Sequence, residues 1–126
     1  MLTDLDTISF VPSADLARAR AFYEGVLGLT VTHQNDWALV VGSAARQVRV
    51  VMAGEFTPQS FTILGWETPD MAGSIAALVK RGVEFLRYEG FDQNDVGIWT
   101  TPGGDQVAWF HDPDGNVLSL SSRSGG

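Results

Sequence analysis

The sequence predicts an α+β fold of two βαβββ modules, in which curled mixed sheets enclose a cavity and the helices lie outside. Two observations favour it. Strand-like and helix-like segments follow one another in the same order in each half, and each helical segment opens at an aspartate and stops at a glycine. We therefore expect a single domain over residues 1–126, with modules at about 5–56 and 59–122.

The first module begins with a strand over residues 6–12, where large apolar side chains alternate with smaller ones. Either Ser13 or Asp15 can cap the following helix, and the three-to-four spacing of apolar residues predicts an amphipathic helix up to Leu27, which Gly28 ends. Three strand-like segments follow, at residues 29–33, 37–41 and 47–52.

The second module repeats this order. A strand at residues 61–66 precedes a helix that opens at Asp70 and ends at Gly82. Four strand candidates follow, at residues 83–87, 97–100, 106–110 and 117–121.

The last two of these strands are joined by a predicted tight turn. Pro113 presets its own φ, Asp112 can close the turn through its side chain, and Gly115 supplies a positive φ. Alternation then places Ser119 on the partly polar face of the final strand. That face meets either solvent, as in an edge hairpin, or a cavity.

Composition narrows the class of partner. The formal charge of −7 argues against a nucleic-acid partner, which requires a basic surface. The chain has no cysteine, no apolar run of membrane-spanning length and no signal-peptide pattern, so we expect no membrane association and a cytoplasmic location. The acidic surface either aids solubility or favours a neutral or cationic ligand.

Three stretches resemble the signatures of the vicinal oxygen chelate superfamily: residues 15–23, residues 26–29 and residues 110–116. This superfamily includes glyoxalase I, extradiol dioxygenases, fosfomycin-resistance enzymes and bleomycin-binding proteins. The resemblance spans both modules, and it implies the two-module fold and a homodimer. It leaves function open, because the same scaffold serves metalloenzymes and metal-free binding proteins.

The resemblance also marks four positions where metalloenzymes of the superfamily carry ligands. Here they hold Ile8 and Ile63 on the first strand of each module, and Arg49 and Ser119 on the last. Isoleucine has no donor atom, arginine is a permanent cation, and a lone neutral serine is a poor ligand. Neither histidine of the chain has a carboxylate at ligand-like spacing. We therefore predict no metal and no cofactor.

The cavity face predicted by alternation is mostly apolar, with a few polar groups, and it favours a small organic ligand. Its members are Ile8, Phe10, Pro12, Gln47, Arg49, Val51, Ile63, Val117, Ser119 and Ser121. Arg49 either faces solvent or needs a partner, such as a ligand carboxylate or carbonyl, or Glu67. Trp37 and Trp99, expected on comparable strands, either pack in the core or form stacking walls for a planar ligand.

The leading hypothesis is a metal-independent small-molecule-binding protein of the glyoxalase/bleomycin-resistance type, with a role in drug sequestration or resistance. The alternative is a lyase or isomerase that uses Arg49 as electrophile and Glu67 or Tyr88 as proton donor or acceptor. A third reading is a dioxygenase or glyoxalase with displaced ligands.

Overall fold

A computed structural model describes residues 1–124 of the chain. The chain divides into two compact units, Met1–Pro58 and Gln59–Gly126, and each is described by itself. Within residues 1–124, no helix combines the length and the apolar character needed to cross a bilayer.

The first unit is one βαβββ module. Its four-stranded sheet has the order β1-β4-β3-β2, with β1 parallel to β4 and the other neighbours antiparallel. A short 3-10 turn precedes β1, and a π-helical segment continues α1. The bounds are Leu2–Asp4 for the 3-10 turn, Thr7–Ser13 for β1, Leu16–Arg20 for α1, Ala21–Val26 for the π-helical segment, Val31–Gln34 for β2, Ala38–Gly42 for β3 and Arg46–Met52 for β4.

The second unit repeats the module. Its sheet order is β5-β8-β7-β6, and β5 runs parallel to β8 as β1 does to β4. The predicted α+β class and the two βαβββ modules are therefore confirmed. The bounds are Thr62–Glu67 for β5, Met71–Lys80 for α2, Trp99–Thr100 for β6, Gln106–His111 for β7 and Val117–Ser122 for β8.

Both helices start with the same hydrogen-bond arrangement. Asp15 and Asp70 each accept a hydrogen bond from the backbone amide three residues later, at 3.0 Å in both units. Two residues before each aspartate, the hydroxyl of Ser13 or Thr68 donates to the aspartate carbonyl and accepts from its amide. These bonds satisfy amide groups that a helix start otherwise leaves unpaired. The predicted helix starts are therefore confirmed, and of the two candidate caps in the first unit the structure has Asp15.

Each helix covers one face of its own sheet, and the buried side chains gather there. In the first unit they are Val11, Leu16, Ala19, Tyr23, Leu39, Val41, Val48 and Val50. In the second they are Leu64, Met71, Ile75, Ala108, Phe110, Leu118 and Leu120. The opposite face of each sheet, called the helix-free face below, carries the alternate residues of every strand.

The turn between β7 and β8 forms as predicted. The carboxylate of Asp112 accepts hydrogen bonds from the amides of Asp114 and Asn116 and from the Asn116 side chain, each at 2.9 Å. Gly115 adopts a φ of 86°. Both Asp112 and Asn116 are buried, so the Asp112 carboxylate and the Asn116 amide groups form a buried hydrogen-bonded network within the turn.

The predicted strand at residues 83–87 is wrong. This segment makes a single β-bridge, at Phe85. The amide side chain of Gln93 explains why the ladder stops: its nitrogen donates to the Leu86 carbonyl and its oxygen accepts from the Tyr88 amide, at 2.8 and 2.7 Å. These side-chain bonds take the place of strand partners.

The predicted strand at residues 97–100 is shorter than expected, and only Trp99–Thr100 pairs as β6. Gly97 has a φ of 95°, outside the extended region. The side-chain oxygen of Asn94 also accepts from the Ile98 amide at 2.9 Å, which keeps that amide out of the sheet.

Candidate functional site

The strand register places Ser119 in the middle of the second sheet, on its helix-free face. Gly65 lies beside it on β5, and Trp109 lies beside it on β7. A Cβ atom on Gly65 would lie 2.6 Å from the Ser119 hydroxyl oxygen, so the hydroxyl occupies space that only glycine leaves open. Ser119 is 8% exposed and lies on an inner strand, so it is not on a solvent-facing edge, and a cavity-lining role for it stays a prediction.

Trp109, the register neighbour of Ser119, meets three other aromatic rings and forms with them what we call the aromatic cluster: Tyr88, Phe91, Trp99 and Trp109. The two tryptophans stack with centroids 6.2 Å apart and planes inclined by 26°. Tyr88 contacts Trp109 edge-on at 5.2 Å, and Phe91 contacts Trp99 at 4.9 Å. Phe91 is 44% exposed, and the other rings are half-buried, so part of the aromatic surface of the cluster is accessible to solvent.

Arg87 shapes the loop that brings Tyr88 and Phe91 to the tryptophans. Its guanidinium donates to three consecutive backbone carbonyls, those of Gln93, Asn94 and Asp95, at 3.3, 2.5 and 2.7 Å. The sequence reading missed Arg87 and Phe91. No residue pattern marks such a contact, because the acceptors are backbone groups that any residue carries.

The expected equivalence of Trp37 and Trp99 is wrong. Trp37 precedes β3 and is 73% exposed, so it is not a core residue. Trp99 lies on β6, the edge strand of its sheet, and its stacking partner is Trp109. A ligand contact by Trp37 stays a prediction.

Arg49 lies at the centre of the first sheet, on its helix-free face. Phe10 is its neighbour on β1, and Val40 is its neighbour on β3. The side chain is half-buried, and its Cζ atom lies 6.0 Å from the centroid of the Phe10 ring. Phe10 is 63% exposed and Ile8 is 36% exposed, so the residues predicted to line this face form an apolar surface around a cation.

The two candidate proton-transfer groups lie in the second unit. Glu67 accepts a hydrogen bond from Arg123 at 3.0 Å, and with Thr68, Pro69, Ser122 and Arg123 it lines a recess of about 450 Å³. Burial raises the pKa of Tyr88 above its ordinary value of 10.0, so its hydroxyl stays protonated at neutral pH. A protonated phenol can act as a proton donor, and a catalytic role for Glu67 or Tyr88 stays a prediction.

The residues at the family's ligand positions do not fit a metal ion. These are Ile8, Arg49, Ile63 and Ser119. Ile63 also sits at a register shift between Thr62 and Leu64, so it has no direct partner on β8. Both histidines, His33 and His111, are exposed. Among residues 1–124, no three His, Asp or Glu side chains group closely enough to hold a metal.

The sequence model of the Glyoxalase/Bleomycin resistance protein/Dioxygenase superfamily matches residues 5–120. The chain belongs to this superfamily. The resemblance drawn from the sequence is therefore confirmed. No curated protein matches the sequence of this chain.

Solved structures of the superfamily share the fold over nearly the whole chain. A member from Sphaerobacter thermophilus is 21% identical, with a TM-score of 0.72, and covers 98% of this chain and 100% of its own. One from Alicyclobacillus acidocaldarius is 16% identical, with a TM-score of 0.71 and coverages of 96% and 92%. Lactoylglutathione lyase from Agrobacterium tumefaciens is 14% identical, with a TM-score of 0.73 and coverages of 94% and 93%. At these identities the likeness extends to the fold alone.

Proposed function

We propose that this superfamily member binds a small organic molecule without a metal ion, by stacking a planar part of that molecule on the aromatic cluster. The cluster is the observation that carries the proposal. Phe91 is 44% exposed, and beside it lie the stacked, half-buried rings of Trp99 and Trp109, whose planes are inclined by 26°. A planar ligand would remove apolar ring surface from water and gain offset stacking at the same time.

Ser119 supplies a polar contact at the edge of this surface, because it is the register neighbour of Trp109. A hydroxyl can donate one hydrogen bond and also accept, which would orient a ligand that carries a carbonyl or amide. Capture of this kind needs no catalytic group. It would serve sequestration of a drug or another toxic compound, which is the role we propose.

The decisive experiment compares the affinities of two matched phenylalanine variants for a neutral planar probe, 2-naphthamide. Phe91→Leu removes a ring from the cluster, whereas Phe61→Leu removes an exposed ring that precedes β5. Titration calorimetry should show that 2-naphthamide binds about five- to tenfold more weakly to Phe91→Leu, as expected for the loss of one aromatic contact. The Phe61→Leu protein should bind like the wild type.

The saturated analogue, decahydro-2-naphthamide, tests whether stacking matters. It should bind more weakly than 2-naphthamide to the wild type, and Phe91→Leu should narrow that difference. If the two probes bind equally well, or if both phenylalanine variants behave alike, the aromatic cluster is not the binding surface.

Metal independence is tested by elemental analysis of protein purified without chelator. We expect substoichiometric Zn, Ni, Mn and Fe, because the four family positions carry no suitable donor set. A stoichiometric metal that is lost in Ser119→Ala would overturn this part of the proposal.

We also propose that the protein is a cytoplasmic homodimer, which follows from the resemblance and from the absence of cysteine. Light scattering after size exclusion should give twice the chain mass of 13.6 kDa. A mass equal to one chain would refute the dimer and leave the aromatic site untouched.

A further inference from the structure

Arg49 carries a buried polar atom for which residues 1–124 provide no hydrogen-bond partner. Its Nε lies out of contact with solvent and has no hydrogen-bond partner among residues 1–124. A buried N–H group that donates to nothing costs free energy, and more so when it belongs to a cation. The Phe10 ring, 6.0 Å from Cζ, offers a cation–π contact but accepts no hydrogen bond from the edge of the guanidinium.

The first sheet does not supply a counter-charge. Its four strands, as bounded above, contain no aspartate or glutamate. Arg49 also lies at the centre of the sheet, between β1 and β3, so its cross-strand neighbours Phe10 and Val40 are both apolar. On its own strand, the residues two positions away are Gln47 and Val51, which are neutral.

We infer that Arg49 binds the oxyanion of an organic acid on the helix-free face of the first sheet. The guanidinium fork matches the two oxygens of a carboxylate or phosphonate, and such a group would accept from Nε. The apolar neighbours favour an organic acid over a free inorganic anion, because the hydrocarbon part would cover Phe10 and Ile8, which are 63% and 36% exposed. This inference goes beyond the proposed function, because the Arg49 site lies in the first unit and selects a ligand by its negative charge, whereas the aromatic cluster lies in the second unit.

The experiment uses non-aromatic probes, so that it is independent of the aromatic cluster. Cyclohexanecarboxylate is compared with its neutral amide, cyclohexanecarboxamide, on the full-length protein. Nitrogen-15 NMR of the arginine Nε–H groups should show one resonance, absent in Arg49→Met, that moves downfield and saturates with the acid only. By calorimetry, the acid should bind about tenfold more weakly to Arg49→Met, as expected for a lost charge-assisted pair.

Arg46→Met is the matched control, because Arg46 lies on the same strand and is exposed. Its affinity for the acid should equal that of the wild type. Arg49→Lys should keep part of the affinity, since a lysine retains charge but lacks the fork, and it replaces Arg49→Met if the latter does not fold.

Further probes separate the sources of the oxyanion. Cyclohexylphosphonate should bind at least as well as the carboxylate, and inorganic phosphate should bind more weakly than both. Equal binding of the acid and its amide, an unchanged affinity in Arg49→Met, or tightest binding by inorganic phosphate would each overturn the inference. None of these results bears on 2-naphthamide binding to the aromatic cluster, so the two proposals fail separately.

Discussion

The two units of the chain share a backbone plan but differ in what their helix-free faces present. In the first sheet the central row runs from Phe10 through Arg49 to Val40. In the second sheet the corresponding row is Gly65, Ser119 and Trp109. One face therefore carries a cation among apolar side chains, and the other carries a hydroxyl beside stacked aromatic rings.

The difference shows which features of a repeated module are structural. Both units retain the hydroxyl and aspartate pair that starts the helix, and both bury aliphatic side chains beneath that helix. These features satisfy backbone amides and build a core, so each unit needs them. The helix-free faces carry no such requirement, and their side chains differ in charge, size and aromatic content.

The largest expected effect concerns the hairpin that joins the last two strands of each unit. Asp112→Ala removes three acceptor contacts from a buried turn and should lower the free energy of unfolding by about 2–4 kcal/mol. Ser43→Ala, in the β3–β4 hairpin, removes an exposed hydroxyl and should change it by less than about 0.5 kcal/mol. Urea denaturation measures both, and equal effects would mean that the buried network adds no stability.

The next test adds a side chain to the second sheet at Gly65, where the first sheet carries Phe10. Gly65→Ala places a Cβ against the Ser119 hydroxyl and should destabilise the protein by about 1–3 kcal/mol through overpacking. Adding Ser119→Ala should recover most of the loss, because the clashing oxygen is gone. Gly103→Ala is the control, since its Cβ would meet only a side-chain oxygen at 3.9 Å. If Gly65→Ala lowers the free energy of unfolding no more than Gly103→Ala does, the fold does not require the close approach of Gly65 to the Ser119 hydroxyl.

Arg87→Met tests whether the aromatic cluster depends on its loop. The variant loses three hydrogen bonds to backbone carbonyls, so amide exchange at residues 93–98 should accelerate, and 2-naphthamide should bind about three- to tenfold more weakly. Arg46→Met should leave both measurements unchanged. Faster exchange with unaltered affinity would show that the cluster keeps its shape without the loop contacts.

The helix caps should behave alike in the two units. Asp15→Ala and Asp70→Ala each remove one side-chain acceptor at a helix start and should each cost about 1 kcal/mol of unfolding free energy. Asp6→Ala, which changes an exposed aspartate outside any helix, serves as the reference. A clear effect in one unit only would contradict the structural equivalence of the modules.

The smallest expected effect is a pH dependence of the free energy of unfolding, caused by Tyr88 in the second unit. The pKa of Tyr88 is raised by burial, so above about pH 10 the unfolded chain releases this proton more readily than the native protein does. Stability should then fall as the pH rises through this range, and Tyr88→Phe should remove that part of the decline. Unfolding free energies of the two proteins between about pH 9 and 11 provide the comparison, and parallel curves would refute it.

Much of the fold was predictable because it depends on contacts between residues close in sequence. The helix starts and the final turn depend on aspartates that accept hydrogen bonds from amides within four residues, so the residue types alone predict them. These aspartates are Asp15, Asp70 and Asp112. Strand alternation likewise assigned Ile8 and Phe10 to the face opposite Val11, which is 1% exposed. The strand predicted at residues 83–87 does not form, although its residues suit a strand. The Gln93 side chain bonds to the backbone there in place of a neighbouring strand.

The site was only partly predictable. Ser119 and Arg49 were recognised by their place in a family pattern, and the register puts each at the centre of its sheet. Phe91 and Arg87 were missed, and Trp37 was wrongly matched with Trp99, which lies on the edge strand β6. The positions of Phe91 and Arg87 depend on where an irregular loop returns to the second sheet, and no sequence periodicity predicts that.

The sequence by itself determined the repeated module, its helix caps, its final turn and the absence of ligand-type side chains at the four family positions. These follow from residue chemistry and from hydrogen bonds that span a few residues. Only the tertiary structure decided which rings stack, and that Arg49 Nε has no hydrogen-bond partner within residues 1–124. Such contacts join residues far apart in the chain, and strand register and loop path bring them together.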